Sequence, residues 1–338
     1  MKTLTVKLKQ HTPLIHFQHD QEGATLRASE VKPKLDKFIL SKLVPETREK
    51  GKNEGWIKDK NGKVWLDYKM IVEAKNFQSI QIPIKPVRKR GELQTDEIGR
   101  QLFTTNSYPD NNASLIMSNI GGRVKDEVHN FSMASSVQMK IFVNYVGLEQ
   151  LLIDNLNIFF GRNSFGNRTS KGFGSFEVKS INEQEESGEI DTDSYILSFT
   201  MNLGDKIDDK NQIYRDVFRV INSLWKSLKN ISGVRGKSEN NVLLKISPQN
   251  IRDAERIPSP IRFKPYIDFY KDGGAYFCDI NIAFLFDKDV IKQVTGMTNT
   301  AYYKSKLTDL KNNIGSHLYE FLDNNTECII DRKSVNFE

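Results

Sequence analysis

"GLEQLLIDNLNIFFGRNSFGNRTSKGFGSFEVKSI", residues 147–181, carries the decision about the fold. Residues 147–160 read as a short helix, and FGSFEVKSI at 173–181 reads as a strand. Between them runs a loop of unusual make-up, with Gly161, Gly166, Gly172 and Gly174 set among Arg162, Arg168 and Lys171. Gly172 and Gly174 remove Cβ atoms, which permits positive φ and close backbone approach. Exposed N–H groups in such a bend can receive phosphate oxygens, and the three cations add charge. Phe165 and Phe173 offer rings on which a base could stack. The plain alternative is a solvated hairpin whose glycines only serve turns. Two nucleotide motifs are excluded. Gly161 and Gly166 have the spacing of a triphosphate cradle, but Asn167-Arg168 stands where Lys-Ser/Thr is needed, and GFGSFE lacks the third glycine of a dinucleotide fingerprint.

Outward from this stretch, strand and helix patterns alternate. Leu4, Val6 and Leu8 mark a half-buried first strand. In ATLRASEVKPKLDKFILSKLV, Ser29 is placed to cap a helix and Pro33 falls in its first turn. Val31, Leu35, Phe38 and Ile39 form its apolar stripe, with Arg27, Lys34 and Lys37 off it. A lysine-rich segment over 46–63 reads as an exposed hairpin or insertion, and the proline-interrupted FQSIQIPIKPV reads as an edge strand. VQMKIFVNYV is a further strand. After the acidic run NEQEESGEIDTD the same grammar returns. SYILSFTMNL alternates as a strand, and a helix follows with Ile213, Val217, Val220, Ile221, Leu224, Trp225 and Leu228 on one face. NVLLKIS reads as a strand, IRFKPYIDFY and AYFCDINIAFLF as a hairpin across KDGG, residues 300–323 as a helix, and ECIID as a last strand. The chain therefore reads as α+β, with two antiparallel-sheet modules over 1–182 and 193–338.

The 338 residues carry a formal net charge of +6, and cations gather in loops and at helix starts. No apolar run reaches a membrane span, the N-terminus alternates like a strand and not like a signal peptide, and Cys278 and Cys328 show no zinc spacing, which points to a soluble cytoplasmic protein. Neither a cofactor nor a metal site is expected, since the acids are dispersed and no zinc-hydrolase or serine-nucleophile motif occurs. The start of the first helix, with Arg27, Ser29, Lys32 and Lys34, could hold phosphate through its unpaired N–H groups, or be an ordinary surface helix. GGRVKDEVHN at 121–130 is a weaker basic turn. His11, His16 and His19 crowd one segment, where a histidine could shuttle protons in metal-free RNA cleavage, or simply flank a strand. RIPSPIRFKPY, with three prolines, reads as an edge strand or as an irregular loop entering a hairpin.

Three of these segments resemble one family. LRASEVKPKL resembles the first-helix start of the RAMP superfamily of CRISPR-associated proteins, RTSKGFGSFEV resembles its glycine-rich loop, and SPIRFKP its late proline-bracketed segment. Their order fits the Cmr-type subunits of type III-B effector complexes, in particular the first of that set, which caps the guide-RNA filament. The resemblance implies a ferredoxin-like, RRM-related fold in each half, RNA along the loop and first helix, other RAMP subunits as partners, and no membrane. Carried over by residue, Arg27, Ser29 and Lys32 match the helix start, and Arg168, Ser170, Lys171, Gly172 and Gly174 match the loop. Pro33 stands where the family has glycine, and Lys171 where it often has the bidentate arginine.

The function expected is a non-catalytic RNA-binding subunit of a CRISPR effector ribonucleoprotein that contacts guide or target RNA in antiviral defence. Its RNA-binding residues would be Arg27, Ser29, Lys32, Lys34, Arg162, Arg168, Ser170, Lys171, Gly172, Phe173 and Gly174. The alternative is a metal-independent repeat endoribonuclease using His16 or His19, although family nucleases usually carry the glycine-rich loop near the C-terminus. A purely protein-binding scaffold is the third class.

Overall fold

The computed structural model describes residues 1–15, 25–86, 88–89, 92–93, 103–105, 116–117, 128–166, 169–186, 195–204, 213–214, 217–218, 220–221, 261–286, 329–330 and 336–337. In chain order the elements are β1 (Lys2–Gln10), α1 (Ala28–Lys42), α2 (Pro45–Asn53), β2 (Ile57–Lys60), β3 (Lys63–Leu66), β4 (Tyr68–Pro86), β5 (Arg88–Lys89), β6 (Glu92–Leu93), β7 (Phe103–Thr105), β8 (Ile116–Met117), β9 (Val128–Val143) and α3 (Val146–Arg162). They continue with β10 (Phe176–Ile181), β11 (Gln184–Glu185), β12 (Tyr195–Gly204), β13 (Ile261–Asp272), β14 (Ala275–Phe286), β15 (Ile329–Ile330) and β16 (Asn336–Phe337). The chain divides into two units: residues 1–80, 131–167 and 173–191 form the first, and 81–130, 168–172 and 192–338 the second. Residues 81–130, which pattern alone assigned to a module spanning 1–182, thus group with the second unit, as does the tip of the glycine-rich loop. Local periodicity marks elements but does not say which of them pack together.

In the first unit the strands follow the order β11-β10-β1-β9-β4, and β1 runs antiparallel to both β9 and β10. Alternation in β1 turns Leu4, Val6 and Leu8 inward, where they share one core with Val31, Leu35 and Ile39 of α1, Leu148, Leu152, Leu156 and Phe159 of α3, and Met139 and Ile141 of β9. Each such side chain contributes about 1.5–3 kcal/mol relative to an exposed one. The stripe expected on α1 is therefore buried as read, with Phe38 partly so.

The start of α1 differs from the expectation. The N-cap is Arg27, in extended conformation and with no side-chain capping bond, while Ser29 lies inside the helix. Pro33 stands beyond the first turn, so one helical hydrogen bond is forgone there. The lysine-rich segment contains α2 and a β2–β3 hairpin turned by Asn61-Gly62, both at positive φ. Its anchor is Trp56, buried against Gly51, where an added Cβ would come within 2.6 Å of the indole ring.

β4 is not the edge strand its prolines suggested, since the sheet order places it between β9 and β7. In the second unit Ile84–Pro86 of β4 pair with β7, and β7 pairs with β8. The main sheet of that unit has the order β13-β14-β12-β15, with β16 also on β12. β13 and β14 form the expected hairpin, closing where Asp272 pairs with Ala275 across Gly273-Gly274. Ile213, Tyr214, Val217, Phe218, Val220 and Ile221 are helical and buried, in line with the stripe read there. NVLLKIS, the helix at 300–323, and Leu224, Trp225 and Leu228 lie outside the described residues. Among the described residues no helix is long and apolar enough to cross a membrane.

Candidate nucleic-acid interface

The glycine-rich loop is built from two limbs and a tip. The limbs, in the first unit, meet at a bridge between Ser164 and Ser175, where Phe165 N–H donates to the Gly174 carbonyl at 2.9 Å. The segment after β1 runs beside them. His11 N–H donates to Ser175 O at 2.9 Å, Gly174 N–H to Pro13 O at 2.9 Å, and Ser175 N–H to Thr12 Oγ1 at 3.0 Å. Gly174 has φ +66, and a Cβ there would overlap the Phe165 carbonyl oxygen. At Gly166, φ +78, a Cβ would lie 2.5 Å from the Ile15 carbonyl oxygen. The bareness of the loop thus serves the protein's own backbone, which approaches it closely.

Both phenylalanines proposed for base stacking are fully buried. Phe165 packs edge-on against Phe159 and Phe176 and at a tilt against Phe160, with ring centroids 5.4–5.9 Å apart. Neither Phe165 nor Phe173 has a face open to a base, and the stacking role is corrected to a core role. Apolar rings bordered by chain that folds back on itself are buried for the reason any core residue is.

The helix start meets the same loop. Glu30, in the first turn of α1, accepts the Gly166 N–H at 2.6 Å. Lys34 Nζ lies 3.4 Å from the same Glu30 Oε1, 3.5 Å from Ser164 O, and 4.9 Å above the Phe165 ring. Lys32 is engaged with Asp36 Oδ2 at 2.8 Å and Leu66 O at 2.9 Å, and sits 4.1 Å above the Tyr68 ring. Burial, and then the Asp36 carboxylate, push the Tyr68 phenol far above its ordinary range. Ser29 is exposed, Arg27 half-buried, and Arg162 is exposed in the last turn of α3.

The tip lies in the second unit. Lys171 forms a parallel bridge to Phe263 of β13, and Phe263 N–H donates to Ser170 O at 3.2 Å. Gly172, φ +87, would bring a Cβ within 2.8 Å of Ile221 and 2.9 Å of Pro265. The loop motif and the SPIRFKP motif therefore touch directly, and among the described residues β13 is the last strand of its sheet. Lys264 beside them is wholly buried, 5.4 Å from the Tyr266 ring. Arg168 and residues 121–127 lie outside the described residues, as do His16 and His19.

His11 is buried, with Nε2 at 2.9 Å from Glu177 Oε2. Partial burial works to raise the Glu177 pKa, but hydrogen bonds and charge from His11 and Lys179 outweigh it and hold the carboxyl at about 2. Nothing local in the sequence marked His11–Glu177 or Glu30–Gly166 as pairs, because both join residues far apart in the chain.

A family model described as the Cmr1 N-terminal domain matches residues 1–233. The chain belongs to the Cmr1 family. The RAMP resemblance read from three short motifs is thereby borne out. The chain is also similar to a chain in the cryo-EM structure of the Type III-B Cmr-beta bound to cognate target RNA, at 14% identity and TM-score 0.34, with 53% of this chain and 59% of that chain covered. It is similar to the apo crystal structure of Cmr1 from Pyrococcus furiosus, at 12% identity and TM-score 0.37, with 85% and 89% covered. The first of these matches thus takes in about three fifths of the other chain's length. No curated protein matches.

Proposed function

We propose that this chain is a non-catalytic, RNA-binding subunit of a type III-B CRISPR effector ribonucleoprotein, with guide or target RNA and other RAMP subunits as its partners. Membership of the Cmr1 family over residues 1–233 is the observation that carries the reading. The order β10-β1-β9-β4, with α1 following β1 and α3 following β9, supports a ferredoxin-like module in the first unit. We assign the second half the same class.

Within this reading the site residues divide by role. Arg27, Lys34, Arg162, Arg168 and Lys171 supply cations to phosphates, with Ser29 and Ser170 as hydrogen-bonding neighbours. Gly172, Phe173 and Gly174 shape the loop, and Lys32 anchors α1 to Asp36. Affinity that comes from phosphate contacts falls steeply with salt and depends little on sequence. The test is filter binding of labelled single-stranded RNA over a series of salt concentrations. Arg168→Ala with Lys171→Ala weakens binding and flattens the logarithmic salt slope by about 1.4. Unchanged affinity and slope in the double variant remove the loop from the site. Site-specific cutting of repeat RNA in chelator, lost in His16→Ala and His19→Ala, replaces the reading with the nuclease.

A further inference from the structure

Among the described residues, the sheet of the first unit has one face packed on α1 and α3 and one face without helices. Along β1 the even-numbered residues point to the core, so Thr3, Thr5, Lys7 and Lys9 point away. Cross-strand pairing places Phe142, Lys140 and Gln138 of β9 opposite Thr3, Thr5 and Lys7, and Glu177 of β10 opposite Lys9. On β4, Met70, Val72 and Ala74 pack on the core, which turns Lys69, Ile71, Glu73 and Lys75 outward. Lys179 of β10 is exposed beside Glu177. This face carries six lysines and two glutamates.

Both acids are already matched. Glu73 pairs with Lys140 at 3.3 Å, and Glu177 with Lys179 and His11, each at 2.9 Å. Lys7, Lys69 and Lys75 are exposed and have no carboxylate in ion-pair reach among the described residues. Lysines often guard sheet edges against unwanted pairing. That explanation does not serve for Lys7, since β1 lies between β10 and β9, whereas Lys69 and Lys75 stand on the stretch of β4 that precedes its pairing with β7 at Ile84–Pro86. Neighbouring strands lie about 4.8 Å apart, and alternate residues of a strand about 6.8 Å apart. The cations therefore form a field on the order of 14 by 20 Å that favours an anionic partner.

We propose that this open face is a second RNA surface, separate from the glycine-rich loop, which takes the sugar–phosphate backbone of a single strand through Lys7, Lys69 and Lys75. The proposal rests on the RNA reading above. Protein interfaces are depleted of lysine and apolar at their centre. Here the exposed large apolar side chains on β4 are Ile71 and Phe77, set among lysines, threonines and a glutamine. Phe142 is half-buried and Phe77 is the exposed ring on β4, so the contact reads chiefly charge, with Phe77 offering one ring to a base.

The experiment measures fluorescence anisotropy of labelled oligouridylate with the full chain over a salt series. Compared are the wild type, the triple variant Lys7→Gln/Lys69→Gln/Lys75→Gln, the same triple to Arg, and the Arg168→Ala/Lys171→Ala variant. The Gln triple weakens binding about tenfold or more at low salt and lowers the salt slope by about 2, while the Arg triple binds like the wild type. The effects of the Gln triple and the loop variant add in free energy, as for separate sites. Circular dichroism of the Gln triple matches the wild type, because the three side chains are exposed. Wild-type affinity and slope in the Gln triple, beside a loss in the loop variant, overturn this proposal and leave the function standing. RNA binding that persists in the Gln triple while association with companion subunits is lost makes the face a protein interface and also overturns it. A wild-type chain that binds no RNA overturns both readings.

Discussion

Gly174→Ala tests whether the loop is bare for the sake of the protein's own packing. An alanine at φ +66 bears roughly 1–2 kcal/mol of backbone strain. Its Cβ would overlap the Phe165 carbonyl oxygen, so the limbs must part. Parting them puts at risk two hydrogen bonds, Phe165 N–H to Gly174 O and Gly174 N–H to Pro13 O, each 2.9 Å long. At about 0.5–1.5 kcal/mol each, the total cost is about 2–5 kcal/mol. Gly62 in the β2–β3 turn is the control, since it has φ +76 but nothing within 4 Å of an added Cβ. Gly62→Ala therefore bears the strain alone, about 1–2 kcal/mol. Urea unfolding followed by tryptophan fluorescence, with Trp56 and Trp65 both in the first unit, reads the difference as a shift of the midpoint. Equal shifts for the two variants would refute the close-packing argument and return Gly174 to a simple turn role.

Phe173→Ala lowers stability by about 3–5 kcal/mol, as expected for a buried ring, and a thermal melt checks it. A variant that melts normally but loses RNA affinity would restore the stacking role. Lys32→Met leaves the Asp36 carboxylate without its ammonium partner and costs about 3 kcal/mol, with RNA affinity unchanged once the protein is folded. A pure loss of RNA binding would contradict this. The Glu177 carboxyl is held at about 2 in the folded chain against an unfolded value of 4.5, so its stabilising contribution is present above pH 4.5 and is lost as pH falls towards 2. Unfolding free energies of the wild type and Glu177→Gln should differ by on the order of 2–3 kcal/mol near neutrality and converge in that acid window. A gap that stays constant down to pH 2 would sink the assignment.

What the sequence disclosed follows the range of each interaction. The apolar stripe on α1, the β13–β14 hairpin at Gly273-Gly274 and the helix–loop–strand passage from α3 to β10 are local patterns, legible because 3.6- and 2-residue periods are written directly in residue order. The family could be read because three short motifs kept their order. The cap of α1 was misread because Ser29 has the right side chain at the wrong place: Arg27 adopts the extended backbone that begins the helix, and Glu30 is drawn across to Gly166. The burial of Phe165 and Phe173 was hidden for a related reason. A loop rich in glycine and cations looks solvated until the chain that folds over it, here residues 11–15, is known. Glu177 beside His11 could not be seen at all, since 166 positions separate them.

The hydrogen bond from Phe263 to Ser170 has a bearing on how the molecule keeps to itself. Among the described residues β13 is the last strand of its sheet, and a strand's outer backbone is where a like strand from another molecule can add on. By laying Ser170 and Lys171 along that side, the chain occupies the docking position with its own backbone and sets a charged residue beside it. The loop tip thus acts as a stopper against runaway stacking, and shortening it should show first as turbidity in concentrated solution.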